Sequence, residues 1–297
     1  MKFRLCALLP RTLRYSVLAI RLRAVTWRRD TIDHLQVPRG RASLAYVCRA
    51  GLANRLTAHL AAANIAAATG RDLAVYWPRT RECAATFEEL FASYSAPDCG
   101  ERPNHHHLLG CDPNRVSFQS ACDAVARRQE PLVLLDYTWQ YLPGTLLRAA
   151  ARNGGELSLA ALRPHGPILE EVARTVAAWS PPVLGVHIRR GDFLLDGKAV
   201  PLERHAAALA RSVACHPETK SIFIASDASM EELKPVLASV SLPVVLRRSA
   251  GRDNLAAICG ALVDLILLSR ADRLILSPKS SFGSLAAVLG CVPSEVA

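Results

Sequence analysis

From Ser43 onward, short apolar runs alternate with longer segments whose apolar residues recur every three or four positions. The first unit has a strand at Ser43–Cys48, an Ala-rich helix over Leu52–Thr69 stopped by Gly70, and a strand at Leu73–Trp77 closed by Pro78. Fainter periodicity predicts a helix near Thr86–Tyr94, a polar loop from Pro97 to Pro113, a strand at Leu132–Tyr137 and a helix within Leu159–Trp179. Ser180-Pro181-Pro182 interrupts any helix and marks the predicted domain boundary. Beyond it the pattern is clear. Strands are predicted at Val183–Ile188, Ser221–Ala225, Pro243–Leu246 and Arg273–Leu276, alternating with helices at Leu202–Ala214, Met230–Val240, Asn254–Ser269 and Ser281–Leu289. Near-continuous apolar strands between helices predict an α/β chain with parallel sheets covered on both faces. Such sheets bind ligands at the carboxyl ends of their strands.

Residues 1–41 read differently. In a helix over 11–29, Leu13, Val17, Ile20, Ala24 and Trp27 share one face, and Arg14, Arg21 and Arg28 line its neighbour. That basic amphipathic pattern suits peripheral contact with an anionic membrane, or packing on the body, or an extension that the fold does not need. Ten Lys/Arg face only Asp30 and Asp33 in residues 1–41, so this segment carries +8 of the chain's formal +10. The 256 residues that follow are nearly neutral. With no interleaving of aromatic and basic residues, a nucleic-acid groove is the weakest reading.

The 297 residues are long enough for two domains. Three are predicted: a basic extension over 1–41, an N-terminal acceptor-side α/β domain over 42–180, and a C-terminal Rossmann-type domain over 181–297. The nine scattered cysteines form no C-x-x-C pair, and no cleavable leader is evident. Both point to a reducing, cytoplasmic setting, with the inner membrane face left open by segment 11–29.

Several chemistries fail on spacing. Gly191 to Lys198-Ala199 has five residues between its glycines and no hydroxyl after the lysine, so it is not a phosphate-binding P-loop. No G-x-G-x-x-G follows a strand. His105-His106-His107 has no second ligand set to match it, and no Asp-x-Asp pair offers a divalent ion a seat against a diphosphate. No metal is expected. Four strand ends remain: Arg49-Ala-Gly51-Leu-Ala-Asn54-Arg55, His187-Ile-Arg189-Arg190-Gly191-Asp192, Ser226-Asp227, and Ser277-Pro-Lys279-Ser280-Ser281. A strand-end arginine binds phosphate oxygens bidentately, and a helix starting at Ser280-Ser281 offers unpaired N–H groups to an anion. Alternation sends Arg189 and Arg190 to opposite sides, so Arg189 is assigned to phosphate and Arg190 to a carboxylate such as Asp192. The pair reads equally as an ion-pair network at a domain interface.

His187-Ile-Arg-Arg-Gly-Asp-Phe193 resembles the H-x-R-R-x-D signature of the fucosyltransferases that use GDP-fucose. Further matches follow in that family's order: Arg49-Ala-Gly-Leu-Ala-Asn-Arg55 is similar to its glycine-loop motif, and Phe223-Ile-Ala-Ser-Asp227 to its second motif. Ala261-Leu-Val-Asp264 through Ser280-Ser281-Phe282-Gly283 is similar to its third. Leu135-Asp-Tyr137-Thr-Trp139-Gln140-Tyr141 resembles the aromatic segment before the linker of the α1,2 enzymes. The resemblance implies a GT-B-like pair of Rossmann-type domains with parallel sheets facing across a cleft. It implies inverting, metal-independent transfer of fucose from GDP-fucose to a glycan hydroxyl. Arg189 then clamps the β-phosphate with Ser280 or Ser281, while His187, Asp227 and Asp264 meet the nucleotide. Asn54 and the backbone at Gly51 approach the sugar, and Asp192 and Asp196 stand nearest in sequence for proton transfer. The departures are Arg204-His205, where the α1,2 group often has paired tyrosines, and Ser284-Leu285, where it has a tryptophan pair. Ala297 follows the last predicted helix closely, leaving little room for the strand or helix that usually completes such domains. The competing readings are a GT-B enzyme for another nucleotide sugar and an inactive carbohydrate-binding or membrane-surface homologue.

Overall fold

The computed structural model describes residues 35–36, 42–92, 105–108, 118–136, 162–249 and 251–297. The predicted helix at 11–29 and the segment from Tyr137 to Tyr141 lie outside them. The first half runs β1 (Leu35–Gln36), β2 (Ser43–Val47), α1 (Leu52–Thr69), β3 (Asp72–Tyr76), β4 (His105–Leu108), α2 (Phe118–Ala126) and β5 (Leu132–Asp136). Its five strands are ordered β1-β3-β2-β5-β4, parallel except for β1. The second half follows α3 (Gly166–Ala177). It runs β6 (Val183–Ile188), α4 (Gly191–Leu195), α5 (Leu202–Cys215), β7 (Ser221–Ser226), α6 (Met230–Ala238), β8 (Val244–Arg248), α7 (Leu255–Leu268), β9 (Arg273–Leu276), α8 (Ser281–Gly290) and β10 (Ser294–Val296). This sheet is parallel throughout, in the order β10-β9-β6-β7-β8.

Local chemistry sets the ends. Gly70 adopts φ 65° and closes α1 by donating its N–H to Ala66 and Ala67 carbonyls. Ser229 and Glu232 form a reciprocal capping box at α6, and the Asn254 side chain accepts the Ala257 N–H at α7. Strands β6 and β7 are buried along their whole length, as parallel strands covered by helices must be.

Three expectations change. The run predicted as a loop from Pro97 to Pro113 contains β4, whose register pairs His105 with Leu132 and Leu108 with Leu135. Three successive histidines carry no apolar period, so the strand is set by its neighbour rather than by its own pattern. The helix expected near Thr86–Tyr94 is, over its described part, a set of turns. Phe87, Leu90 and Phe91 have helical spacing because they cluster against Trp77, with Phe87 and Phe91 centroids 4.9 Å apart. Finally, Ser294–Val296 does add a strand, pairing with Leu274–Leu276 at the sheet edge.

The two halves are joined along one side of the cleft. Leu52, Leu56 and Leu60 of α1 belong to the same apolar core as Ile258 and Leu262 of α7 and Leu285 of α8. Each such fully buried side chain contributes about 1.5–3 kcal/mol by leaving water. Helix α3 packs on α7 as well. The carboxyl ends of both sheets are thereby held facing each other around an open cavity.

Candidate active site

The cavity has a volume of about 520 Å³. Gly51 and Asn54, at the start of α1, face His187, Arg189 and Asp192 from the β6 end, Asp227 after β7, Asp264 of α7, and Ser280 and Ser281 at the start of α8. All nine residues singled out from the sequence lie on its wall.

Arg189 is fixed from three sides. Its backbone N–H donates to Ser277 Oγ at 2.8 Å, its Nη1 lies 2.8 Å from Asp227 Oδ2, and its Nη2 lies 2.7 Å from Asp192 Oδ1. Asp227 spends its other oxygen on the Arg190 N–H at 2.6 Å. Gly191 permits this approach, since a Cβ there would stand 2.7 Å from Asp227 Oδ2. Arg190 does turn away, but its carboxylate partner is Glu232 at 3.3 Å, with a further bond to the Val200 carbonyl at 3.1 Å. Asp192, assigned to Arg190 from the sequence, pairs with Arg189 because α4 turns the chain back beneath that guanidinium.

Ser277 is the hub of the strand ends. Besides the Arg189 N–H, its hydroxyl reaches the His187 carbonyl at 3.1 Å and His205 Nε2 at 3.0 Å. His205, the departure from the paired tyrosines, is fully buried beneath this hub. His187 stacks on Phe282 with ring centroids 5.1 Å apart, and Gly283 leaves room for its ring. Burial, with Arg189 and His205 nearby, lowers the His187 pKa to about 3; burial chiefly lowers that of His205 to about 4. Both are therefore neutral when folded, whereas the unfolded chain takes up these protons near pH 6.5. Stability is expected to be full above that value and to fall as the pH drops, by about 3 kcal/mol per histidine at pH 4. Thermal melts from about pH 7.5 to about pH 4.5 check this. The Tm should already decline below about pH 6, and less steeply in His205→Gln; a flat profile refutes it.

Asp264 is buried in α7, where Arg247 Nε meets Oδ1 at 2.6 Å and Ser249 Oγ donates to Oδ2. Burial pushes its pKa up against those two donors. Arg247 also pairs with Glu171 of α3. Ser280 is the buried N-cap of α8, its hydroxyl makes no capping bond, and Ser280, Ser281 and Phe282 line the cavity.

Sequence reading missed Arg252, Ser249 and Arg247. The signal was available: β8 runs to Arg248, two residues past its predicted end at Leu246, and the loop that follows it is a carboxyl-end loop like the others. Two arginines at the end of an apolar run look like the exit of a strand, whereas here they are its last two residues.

No protein-family model matches the chain, and no curated protein matches it in sequence. Solved structures do. NodZ α1,6-fucosyltransferase from Bradyrhizobium, soaked with GDP-fucose, superposes with a TM-score of 0.57 at 18% identity, covering 84% of this chain and 92% of that one. A mutant of Arabidopsis thaliana FUT1 in complex with GDP gives 0.58 at 14%, covering 91% and 73%. POFUT1 in complex with GDP-fucose gives 0.53 at 13%, covering 88% and 99%. The chain thus has the α/β, GT-B-like fold of these fucosyltransferases, with two Rossmann-type halves and the carboxyl ends of their parallel sheets lining one cavity.

Proposed function

We propose that this chain transfers fucose from GDP-fucose to a glycan hydroxyl with inversion at the anomeric carbon. The observation that carries the reading is the convergence of Arg189, the N-terminus of α8 at Ser280–Ser281 and the carboxylate of Asp264 on one cavity at the carboxyl edge of a parallel sheet. A nucleoside diphosphate needs a bidentate cation and N–H donors for its phosphates, and an acceptor for the N–H groups of guanine. The likeness to folds holding GDP and GDP-fucose supports the same choice. Residues 181–297 form the donor domain in this reading, and 42–180 the acceptor side, from which Gly51 and Asn54 reach the sugar.

The chemistry is a displacement. The acceptor oxygen bonds to the anomeric carbon as the bond from that carbon to the β-phosphate oxygen breaks, its electron pair leaving with GDP. Arg189 and the α8 N-terminus meet the charge that develops on the leaving group, so the reading assigns no step to a divalent ion. The acceptor proton passes to a carboxylate of the cavity wall; Asp192 and Asp227 both touch Arg189, and Asp192 is the more exposed of the two. A cytoplasmic setting, with segment 11–29 against the inner membrane face, accords with the cysteines; the six described are all free. Among the described residues no helix is long and apolar enough to cross a membrane.

Incubation with GDP-fucose and a panel of glycans, followed by GDP release, tests the activity. GDP is expected to raise the Tm and UDP to leave it unmoved. Preferential binding of UDP-sugars overturns the donor assignment, and glycan binding without GDP release overturns the catalytic one.

A further inference from the structure

We infer that Arg252 is a second diphosphate-binding group, and that Asp192 holds Arg252 and Arg189 together until the donor displaces it. The inference rests on the GDP-sugar reading above and extends it to a residue outside the motif around positions 187–193. Arg252 comes from the loop between β8 and α7. Its Nη2 lies 2.6 Å from Asp192 Oδ2, while Arg189 Nη2 lies 2.7 Å from Oδ1 of the same carboxylate. One carboxylate therefore bridges two guanidinium groups, and all three residues line the cavity.

The loop is held at the seam between the halves. The Arg252 carbonyl accepts the N–H of Ala84 at 3.1 Å, and its Nη1 lies 3.7 Å from where a Cβ of Gly51 would be. Arg252 thus stands between the start of α1 and the guanidinium of Arg189, where a sugar diphosphate spanning the two halves must pass.

Charge decides the exchange. Asp192 and Asp227 balance Arg189 and Arg252, so the cluster is neutral as it stands. A diphosphate brings more negative charge and more acceptor oxygens than one carboxylate, and guanidinium forks bind such oxygens in pairs. Asp227 stays in place because the Arg190 N–H also holds it. Among the described residues Asp192 is held only through its two guanidinium contacts and is 41% exposed, against 10% for Asp227, so it is the group that yields. Its oxygens, occupied by guanidinium groups in this structure, then become available to the acceptor hydroxyl. The exchange makes proton removal from the acceptor follow donor binding.

Titration calorimetry with GDP and with GMP tests this on the full-length chain. Arg252→Ala is expected to weaken GDP binding about tenfold and to leave GMP binding nearly unchanged, with Arg252→Lys in between. Asp192→Asn is expected to bind GDP as tightly as the unaltered protein or several-fold more tightly, while losing transfer. That result separates a displaced carboxylate from a merely structural one, whose loss would weaken binding. Equal GDP affinity in Arg252→Ala, or weaker binding in Asp192→Asn of normal Tm, overturns the inference. Failure of the unaltered protein to bind GDP overturns the donor reading itself, and this inference with it.

Discussion

Replacing Arg189 with alanine is expected to slow GDP release from GDP-fucose by about 10²–10³-fold, because a preorganised donor aimed at developing charge is lost. The preorganisation is visible in the bonds around it. The Arg189 backbone is pinned to Ser277, whose hydroxyl is itself set by His187 and His205, and the guanidinium is aligned by Asp227. None of these partners needs to move when charge shifts from the sugar to the β-phosphate. Lysine keeps the charge but not the fork, so Arg189→Lys should recover only part of the rate. The fold should survive both changes, since Asp227 keeps the Arg190 N–H. Arg190 supplies the contrast. It braces α6 through Glu232 and the segment before α5 through Val200, so Arg190→Met should lower the Tm more than the rate. Steady-state kinetics beside melting curves separate the two, and turnover unchanged in Arg189→Ala refutes the assignment.

Most of this site was legible because parallel-sheet chemistry gathers at strand ends, and strand ends are where an apolar run stops. Val183–Ile188 and Arg273–Leu276 are predicted with their observed bounds, and the residues after them are those on the cavity wall. Pairing was not legible. Alternation separates Arg189 from Arg190, yet which carboxylate each one meets depends on the turn of α4 and on the distance to α6, neither of which leaves a periodic mark. Buried histidines are equally silent: His205 reads as an odd residue on a helix until Ser277 is seen above it. In the first half, the seat of β4 is set by register with β5 rather than by composition, and so its three histidines suggested a loop.

Arg55 carries the largest effect expected on stability. It is 1% exposed, deep beneath the loops that present Gly51 and Asn54. Its Nε donates to the Ala50 carbonyl at 2.6 Å, its Nη1 to the Pro78 carbonyl, and its Nη2 to Thr80 Oγ1 at 2.7 Å, while its guanidinium lies 5.7 Å from the centre of the Trp77 ring. One side chain therefore ties the segment after β2 to the segment after β3. Burial pulls its pKa below the ordinary value, the mark of a cation that has lost water and depends on these acceptors. Arg55→Leu removes the donors that the Arg49, Ala50 and Pro78 carbonyls and the Thr80 hydroxyl accept from, of which the Pro78 carbonyl is fully buried. A loss of about 3–5 kcal/mol is expected, the range for breaking a buried charged contact. At about 2–4 °C per kcal/mol for a chain approaching this size, the Tm should fall by about 6–20 °C. Arg55→Lys, which reaches fewer of the acceptors, should recover less than half of the loss. In the proposed reading the functional signature is asymmetric, because the guanidinium groups of Arg189 and Arg252 are held by Asp192 and Asp227. At about 15 °C, where the variant remains folded, GDP affinity should stay within about threefold of the unaltered protein, while transfer to a glycan falls as Gly51 and Asn54 lose their support. Equal loss of both would mean that Arg55 supports the donor seat as well, and a Tm lowered by less than about 3 °C would mean that the buried network is not what holds these loops.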